Sequence, residues 1–346
     1  MKRLKLLNII LVVAIIISFT FDSFAGSPNR RGTAGATELL IPVGSTGVGM
    51  SGSILATAHG LDAIHWNPAG LSRSNLSAQV MFSNLSYIAD IGVNYLAVSA
   101  NMEDLGHLGV SLKTLSFGKI EETTIDRPEG TGITYSPTFL TIGLTYSRRM
   151  TDRIHFGTNI KMVHESITRV SATAFAFDLG LQYKAGETGF NFGVALKNLG
   201  SEISFDGSDF DRFVDDPNQN TGFPTQPMRL RTAGFGMPTT LELGLAYKYP
   251  LMAEHLVEMS TTFINNNYSN DEYRFGVEYA YNNLFFIRGG YSYAQGVPSE
   301  FENIFGPTFG AGVRYTISGV EMSVDYAYRS TTFFSGNQWF SVMIGF

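Results

Sequence analysis

The sequence predicts an all-β fold: a transmembrane antiparallel β-barrel of about fourteen strands, its lumen plugged by an amino-terminal hatch. Three observations predict it. Stretches of period-two alternation recur from residue 77 to the end. The connections between them alternate in length, short after every second strand. The chain finishes on "QWFSVMIGF", a strand-like segment ending in an aromatic residue.

The alternation is clearest in "EYRFGVEYAY" (272–281). Tyr273, Phe275, Val277, Tyr279 and Tyr281 face one way, and Glu272, Arg274, Gly276, Glu278 and Ala280 the other. The segments at 240–248 and 320–329 repeat it. Such stretches start near Ser77, Gly92, Leu108, Thr138, Ile154, Ala174, Phe190, Thr240, His255, Glu272, Leu284, Thr308, Val320 and Gln338. Each runs about 9 to 12 residues, enough for a tilted strand to cross the hydrocarbon layer. Tight gaps such as Asn282-Asn283 and Ser318-Gly319 alternate with long ones at Gly118–Pro137, Gly200–Pro238 and Gln295–Pro307. Outer-membrane barrels sort their loops in this way, with short turns in the periplasm and long loops outside. On the last strand Phe340, Val342, Ile344 and Phe346 share one face. This resembles the carboxyl-terminal signal by which such barrels are recognised for assembly.

Composition agrees. Of 346 residues, 16% are charged, below the quarter usual in soluble proteins, and Gly 37, Phe 27 and Tyr 16 are a β-rich set. A net charge of −6 provides no basic patch, which argues against nucleic acid, and the lack of cysteine excludes disulfides and thiolate metal sites. Residues 1–25 read as a signal peptide. Lys2, Arg3 and Lys5 precede the apolar run Leu6–Phe19, and Ser23-Phe24-Ala25 offers small residues before Gly26. The run is too short to span a bilayer, and no long apolar run follows it.

The inward faces mix Gly, Ala and Ser with charges of both signs, which reads as a wall of cross-lumen ion pairs. An anion-binding strip of Arg288, Arg314 and Arg329 is the alternative. That leaves residues 26–74 before the barrel of 75–346. The segment is long for a tail and rich in glycine, and a barrel this wide cannot fill its lumen with its own side chains. A hatch inside the lumen answers both points.

Within that segment, "ATELLIPVGSTGVGMSGSILATAHGLDAIHWNPAGLS" (Ala36–Ser72) resembles the opening of the PorV/PorQ family. That family is similar to the FadL-type long-chain fatty acid transporters, whose hatch carries an Asn-Pro-Ala motif. Asn67, Pro68 and Ala69 match the triplet, and Asp62, Trp66, Gly70 and Leu71 match the surrounding pattern. His59 and His65 have no place in it. The resemblance implies a 14-stranded barrel, embedded in outer-membrane lipid, with a plugged lumen. Physically, Pro68 should push Asn67 into an extended conformation and create a rigid turn. The Asn67 amide should satisfy nearby backbone groups, and Trp66 should pack on the wall with its N–H paired. The motif reads as a peg joining hatch to first strand, with direct ligand contact as the alternative.

Other motifs carry less. Gly47-x-Gly49-x-x-Gly52 lacks the βαβ unit of a dinucleotide site. The six histidines show no ligand spacing, and no nucleophile, base and acid assemble, so no enzyme, cofactor or metal is expected. The acidic run Asp206–Asn220 reads as a solvated loop, with Ca²⁺ binding as the alternative. The expected function is a protein-interaction role at the outer membrane, with transport of a hydrophobic small molecule as the alternative. PorV-like members work with the type IX secretion system, which would place partner and cargo contacts on the long loops. FadL-type proteins instead imply transport of a long-chain hydrophobic ligand, with an apolar cavity below the loops and a break in one strand's pairing.

Overall fold

The computed structural model describes residues 30–214, 226–296 and 304–346. The expected signal peptide, the first residues of the hatch and parts of two long loops lie outside the described residues. Fourteen strands form the barrel: β1 Ala78–Ser86, β2 Gly92–Asn101, β3 His107–Ser116, β4 Thr138–Arg149, β5 Ile154–Ile167, β6 Val170–Lys184, β7 Phe190–Gly200, β8 Thr240–Met252, β9 His255–Asn266, β10 Glu272–Tyr281, β11 Phe285–Ala294, β12 Phe305–Ile317, β13 Val320–Thr331 and β14 Asn337–Gly345. Every start falls within four residues of its sequence-based position. The longest strand has 15 residues, beyond the expected 12.

Each strand pairs antiparallel with the next, and β14 returns to β1 from Gln79↔Gly345 to Ser86↔Gln338. Phe346 and Ala78 extend that last seam by exchanging two backbone hydrogen bonds of 3.0 and 2.9 Å. Closure removes the sheet edge, as hydrocarbon surroundings require, because lipid offers no partner to a free N–H or C=O. The pleat sets the rest. Outward positions such as Val80, Phe82, Leu96, Phe177, Leu243 and Val324 are exposed apolar side chains, a belt suited to acyl chains. Phe340, Ile344 and Phe346 lie on that outer face.

Inward charges pair between strands. Lys161 meets Asp178 at 2.7 Å, Lys248 meets Glu258 at 3.0 Å, and Arg288 binds Asp325 at 2.6 Å and also Glu278. The proposed arginine strip therefore does not exist as such. Arg288 is committed to two carboxylates and Arg314 faces Glu321 at 3.7 Å.

Two seams are incomplete at the end that carries the long loops. Between β7 and β8 the ladder stops at Lys197↔Thr240. Asn198, at φ 57, bulges there, and its backbone N–H donates to Asp178 at 2.8 Å. Between β11 and β12 the ladder stops at Gly290↔Thr308. The next residue of β12 is Pro307, which has no N–H to donate, and the β12–β13 register shifts at the same place. By contrast β3 pairs without interruption on both sides.

The loops depart from simple parity: Thr168-Arg169 closes an outer gap in two residues, and the outer gaps 87–91, 267–271 and 332–336 are no longer than the inner gaps 102–106 and 185–189. The loop after β7 does not stand wholly outside. Ile203 bonds Phe235 across a bridge and is fully buried beside Leu39, Val163 and Met237. The described part of the acidic run holds no Ca²⁺-type cluster. Asp206 and Asp211 are taken by Arg229, and Asp209 by Arg169 and Thr168.

Candidate functional site

The chain from Arg30 to Ser74 fills the lumen as a string of short helical turns. It starts at the long-loop end, where Gly35 donates to Gly236 at 3.0 Å and Arg31 donates from Nε to Asn270 at 3.0 Å. It ends at the opposite mouth, where Ser74 leads into β1.

Close approach of the hatch to the backbone of the wall seats it. The wall presents inward glycines where the hatch touches: Gly157 against Pro68, Gly180 against Asn67, Gly193 against Leu55, Gly276 against Ser53 and Gly290 against Met50. A Cβ at any of these five would come within 2.1–2.6 Å of the hatch, inside any allowed contact. Hydroxyl pairs then fix the register. Ser45 bonds Ser341 at 2.7 Å, Ser51 bonds Thr308 at 3.0 Å, and Ser53 bonds Ser260 at 2.6 Å. Thr57 donates to the Glu258 carboxylate. From the wall, Trp339 donates from Nε1 to the Pro42 carbonyl at 3.0 Å, and the Lys113 ammonium donates to the carbonyls of Glu38 and Ile41, both at 2.6 Å.

Asn67 sits at φ −158°, ψ 106°, extended, directly before Pro68. Its Oδ1 accepts from the Ala69 N–H at 3.2 Å, and its Nδ2 donates to Leu55 O at 3.0 Å and Leu181 O at 3.2 Å. The peg therefore enters the β6–β7 seam and not the first strand. The reason is local: the turn projects its amide toward Gly180, whose missing Cβ leaves room for it. Pro68 and Ala69 are buried against β5, and Gly70 packs on the Ala58 carbonyl. Trp66 differs from expectation. Its ring packs on Gly47 and Gly52 of the hatch itself, with Lys197 Nζ 5.8 Å from the ring centre. Its buried N–H has no partner among the described residues. His65, unplaced by the motif, meets that ring edge-on at 4.9 Å.

Above the hatch lies a cavity of about 500 Å³. One side is apolar, built by Ile41, Val48, Ile91, Leu115, Phe117 and Phe139, and the other carries Lys197, Glu242, Glu272, Arg274 and Arg329. Ser292, Phe305 and Thr308 bring the cavity to the incomplete β11–β12 seam. Trp66 and His65 form part of the floor; Asp62, Asn67, Pro68, Ala69 and Gly70 do not reach it. Sequence reasoning missed the glycine seat and, although the transport reading implied a cavity, did not name the residues that line it. The first was visible as glycine recurring at inward positions of successive strands; the second depends on where the hatch stops.

Burial dominates the hatch's titrating groups. It raises Glu38 to about 8, helped by the facing Glu165, and raises Asp62 to about 6, helped by Asp325. It lowers His59 to about 3, and His65 well below its ordinary value. Each shift is toward the neutral form.

No protein-family model and no curated protein matches the sequence. Solved structures do resemble the fold. The toluene transporter TodX of Pseudomonas putida aligns with TM-score 0.53 at 14% identity, over 84% of this chain and 94% of its own. A FadL homologue of Pseudomonas aeruginosa aligns at 0.52 and 12%, over 88% and 98%. The CymD monoaromatic hydrocarbon channel aligns at 0.51 and 14%, over 88% and 97%. The fold of this chain is thus a closed 14-strand hatch-bearing barrel of the kind found in outer-membrane channels of the FadL type.

Proposed function

We propose that the protein passes a hydrophobic small molecule, such as a long-chain fatty acid, across the outer membrane without catalysing a reaction. The cavity between the long loops and the hatch would be the holding site. Its apolar side and its size, within the range of small-molecule sites, support this reading. The observation that carries it is the contact of that cavity with the β11–β12 seam, where pairing ends at Gly290↔Thr308. A molecule held there lies beside the stretch of wall where that pairing ends, while the pegged hatch blocks the way straight down. A cavity with one apolar side and a seam of incomplete pairing support this reading, and resemblance to hydrocarbon channels favours it over the secretion-partner reading.

The test is uptake of labelled toluene and labelled decanoate by cells expressing the protein, compared with Ile91→Trp, which fills the cavity. Uptake by the wild type and its loss in the variant supports transport. Equal accumulation with and without the protein, together with capture of secreted proteins on the long loops, would return the case to a partner-binding role.

A further inference from the structure

The barrel has another concavity at the opposite mouth, where the hatch ends. It is a polar bowl of about 630 Å³, set among the turns that follow β2, β4 and β6, and Ser72, Arg73 and Ser74 reach into it from the hatch. Arg73 is half-buried there. Its Nη1 donates to the Ala56 carbonyl at 3.0 Å and to Gln182 Oε1 at 3.1 Å, and its Nη2 donates to Asn191 Oδ1 at 3.3 Å. All of these acceptors are neutral, and Nε finds none among the described residues. Glu258, whose charge acts on Arg73, is already held by Lys248 at 3.0 Å and by Thr57. A partly desolvated charge left unpaired is costly, and a bound counter-ion relieves it.

Beside Arg73 stand Arg148, Arg149 and Lys184, exposed and outside every ion pair among the described residues. The same holds for the carboxylates on the rim, Glu103, Asp104 and Asp152. Cations and carboxylates thus share one bowl without neutralising each other. Part of the rim is fixed by packing. Gly106, at φ 99, brings the Glu103–Leu105 turn so close to β4 that a Cβ would lie 2.6 Å from the Ser147 carbonyl oxygen. His107 follows it and lines the bowl, 7% exposed, with an Nε2 that has no partner among the described residues.

We propose that this bowl is a binding site for a small zwitterion, a short peptide with its amino and carboxylate ends free. The carboxylate sits on Arg73, whose planar donors match its two oxygens. The ammonium sits at the rim, where Glu103, Asp104 and Asp152 hold no cation. His107 Nε2, a buried nitrogen still lacking a hydrogen bond, takes a polar group of the peptide backbone. The volume falls in the range of small-molecule sites. A simple anion such as phosphate satisfies Arg73 but meets the rim carboxylates as like charges, and a simple cation does the reverse. A ligand carrying both signs uses both halves of the bowl. The site lies apart from the cavity above the hatch and does not depend on the transport reading.

Isothermal titration of the full barrel in lipid nanodiscs tests this with glycylglycine, N-acetylglycylglycine, glycylglycinamide and inorganic phosphate. Glycylglycine should bind about tenfold tighter than either singly charged relative, the range of one charge-assisted hydrogen bond. Arg73→Gln should weaken glycylglycine and the acetylated peptide by about tenfold each, and Arg73→Lys, which keeps the charge, should retain part of the binding. Replacing the rim carboxylates together, by Glu103→Gln, Asp104→Asn and Asp152→Asn, should bring glycylglycine and its acetylated form to equal affinity. Heat-modifiable mobility confirms that each variant is a folded barrel. Equal affinity of those two peptides for the wild type, or phosphate binding tighter than glycylglycine, would overturn the zwitterion assignment. Glycylglycine binding unchanged in Arg73→Gln would do the same for the anchor. Absence of binding by every probe would remove the site and leave the transport reading standing.

Discussion

The Asn67 amide lies 3.2 Å from the carbonyl oxygen of Leu181, so one side chain of the hatch is bonded into the wall of the barrel. The same nitrogen reaches Val194 O at 3.5 Å, and Leu181 and Val194 are partners across β6 and β7. Asn67→Ala removes these donors and is expected to weaken hatch docking by about 1–3 kcal/mol, the usual cost of leaving buried carbonyls unmet. Asn67→Asp should be worse, because an acceptor then faces acceptors. Protease sensitivity of residues 30–74 in the folded barrel measures both. Equal resistance in Asn67→Asp and wild type would show that the amide is not what holds the turn.

The glycine seat makes a separate prediction. Gly157 has no room for a Cβ, which would lie 2.3 Å from the Pro68 carbonyl carbon. Gly157→Val suits a β-strand by itself, so the wall should still form while the hatch is displaced. The expected result is a barrel with normal heat-modifiable mobility whose Trp66 emission shifts to the red and whose hatch is cleaved by added protease. A variant that fails to form the barrel at all would mean that wall and hatch fold as one unit.

Why the wall was legible and the site was not follows from the same residues. Tyr273, Phe275 and Val277 alternate with Arg274, Gly276 and Glu278, and that rhythm alone places β10 and its two faces. The loops repeat a second rhythm at the level of whole strands. The hatch has neither. Asn67 finds its partners 114 and 127 residues away, at Leu181 and Val194, and no local pattern encodes such a distance. Arg288, Arg314 and Arg329 look alike in the sequence, yet register gives Arg288 two carboxylates and Arg329 none. What commits one arginine to a carboxylate and leaves another without one is the neighbour across the seam, and that appears only once the barrel closes.

Glu38 gives the hatch a dependence on pH. Its folded-state value of about 8 lies above the 4.5 of a free side chain, so the folded protein holds a proton that the unfolded chain releases. The contribution is complete below pH 4.5 and is lost as pH rises through about 8. Asp62, raised to about 6, acts in the same direction but is spent at lower pH. His59, lowered to about 3, acts oppositely and is lost as pH falls below 6.5. Of these three groups Glu38 therefore carries the slope between pH 6.5 and 8. Thermal melts across that window should differ in slope between wild type and Glu38→Gln, the variant losing the fall with rising pH that Glu38 contributes. An unchanged slope in the variant would assign the effect elsewhere.

The last residue separates assembly from stability. Phe346 bonds Ala78 only through its backbone, and its ring, 64% exposed, points to the lipid side. Phe346→Ala keeps both closing hydrogen bonds, so the melting temperature of barrel that does fold should change little. If the row Phe340, Val342, Ile344 and Phe346 is read by the assembly machinery, the amount of folded protein in the outer membrane should nevertheless fall several-fold. Deleting Phe346 removes the ring and the two hydrogen bonds together, and should lower both yield and melting temperature. Quantifying the heat-modifiable fraction in membranes, beside melts of the purified protein, distinguishes the cases. Normal yield in Phe346→Ala would leave the terminal ring a lipid contact with no part in assembly.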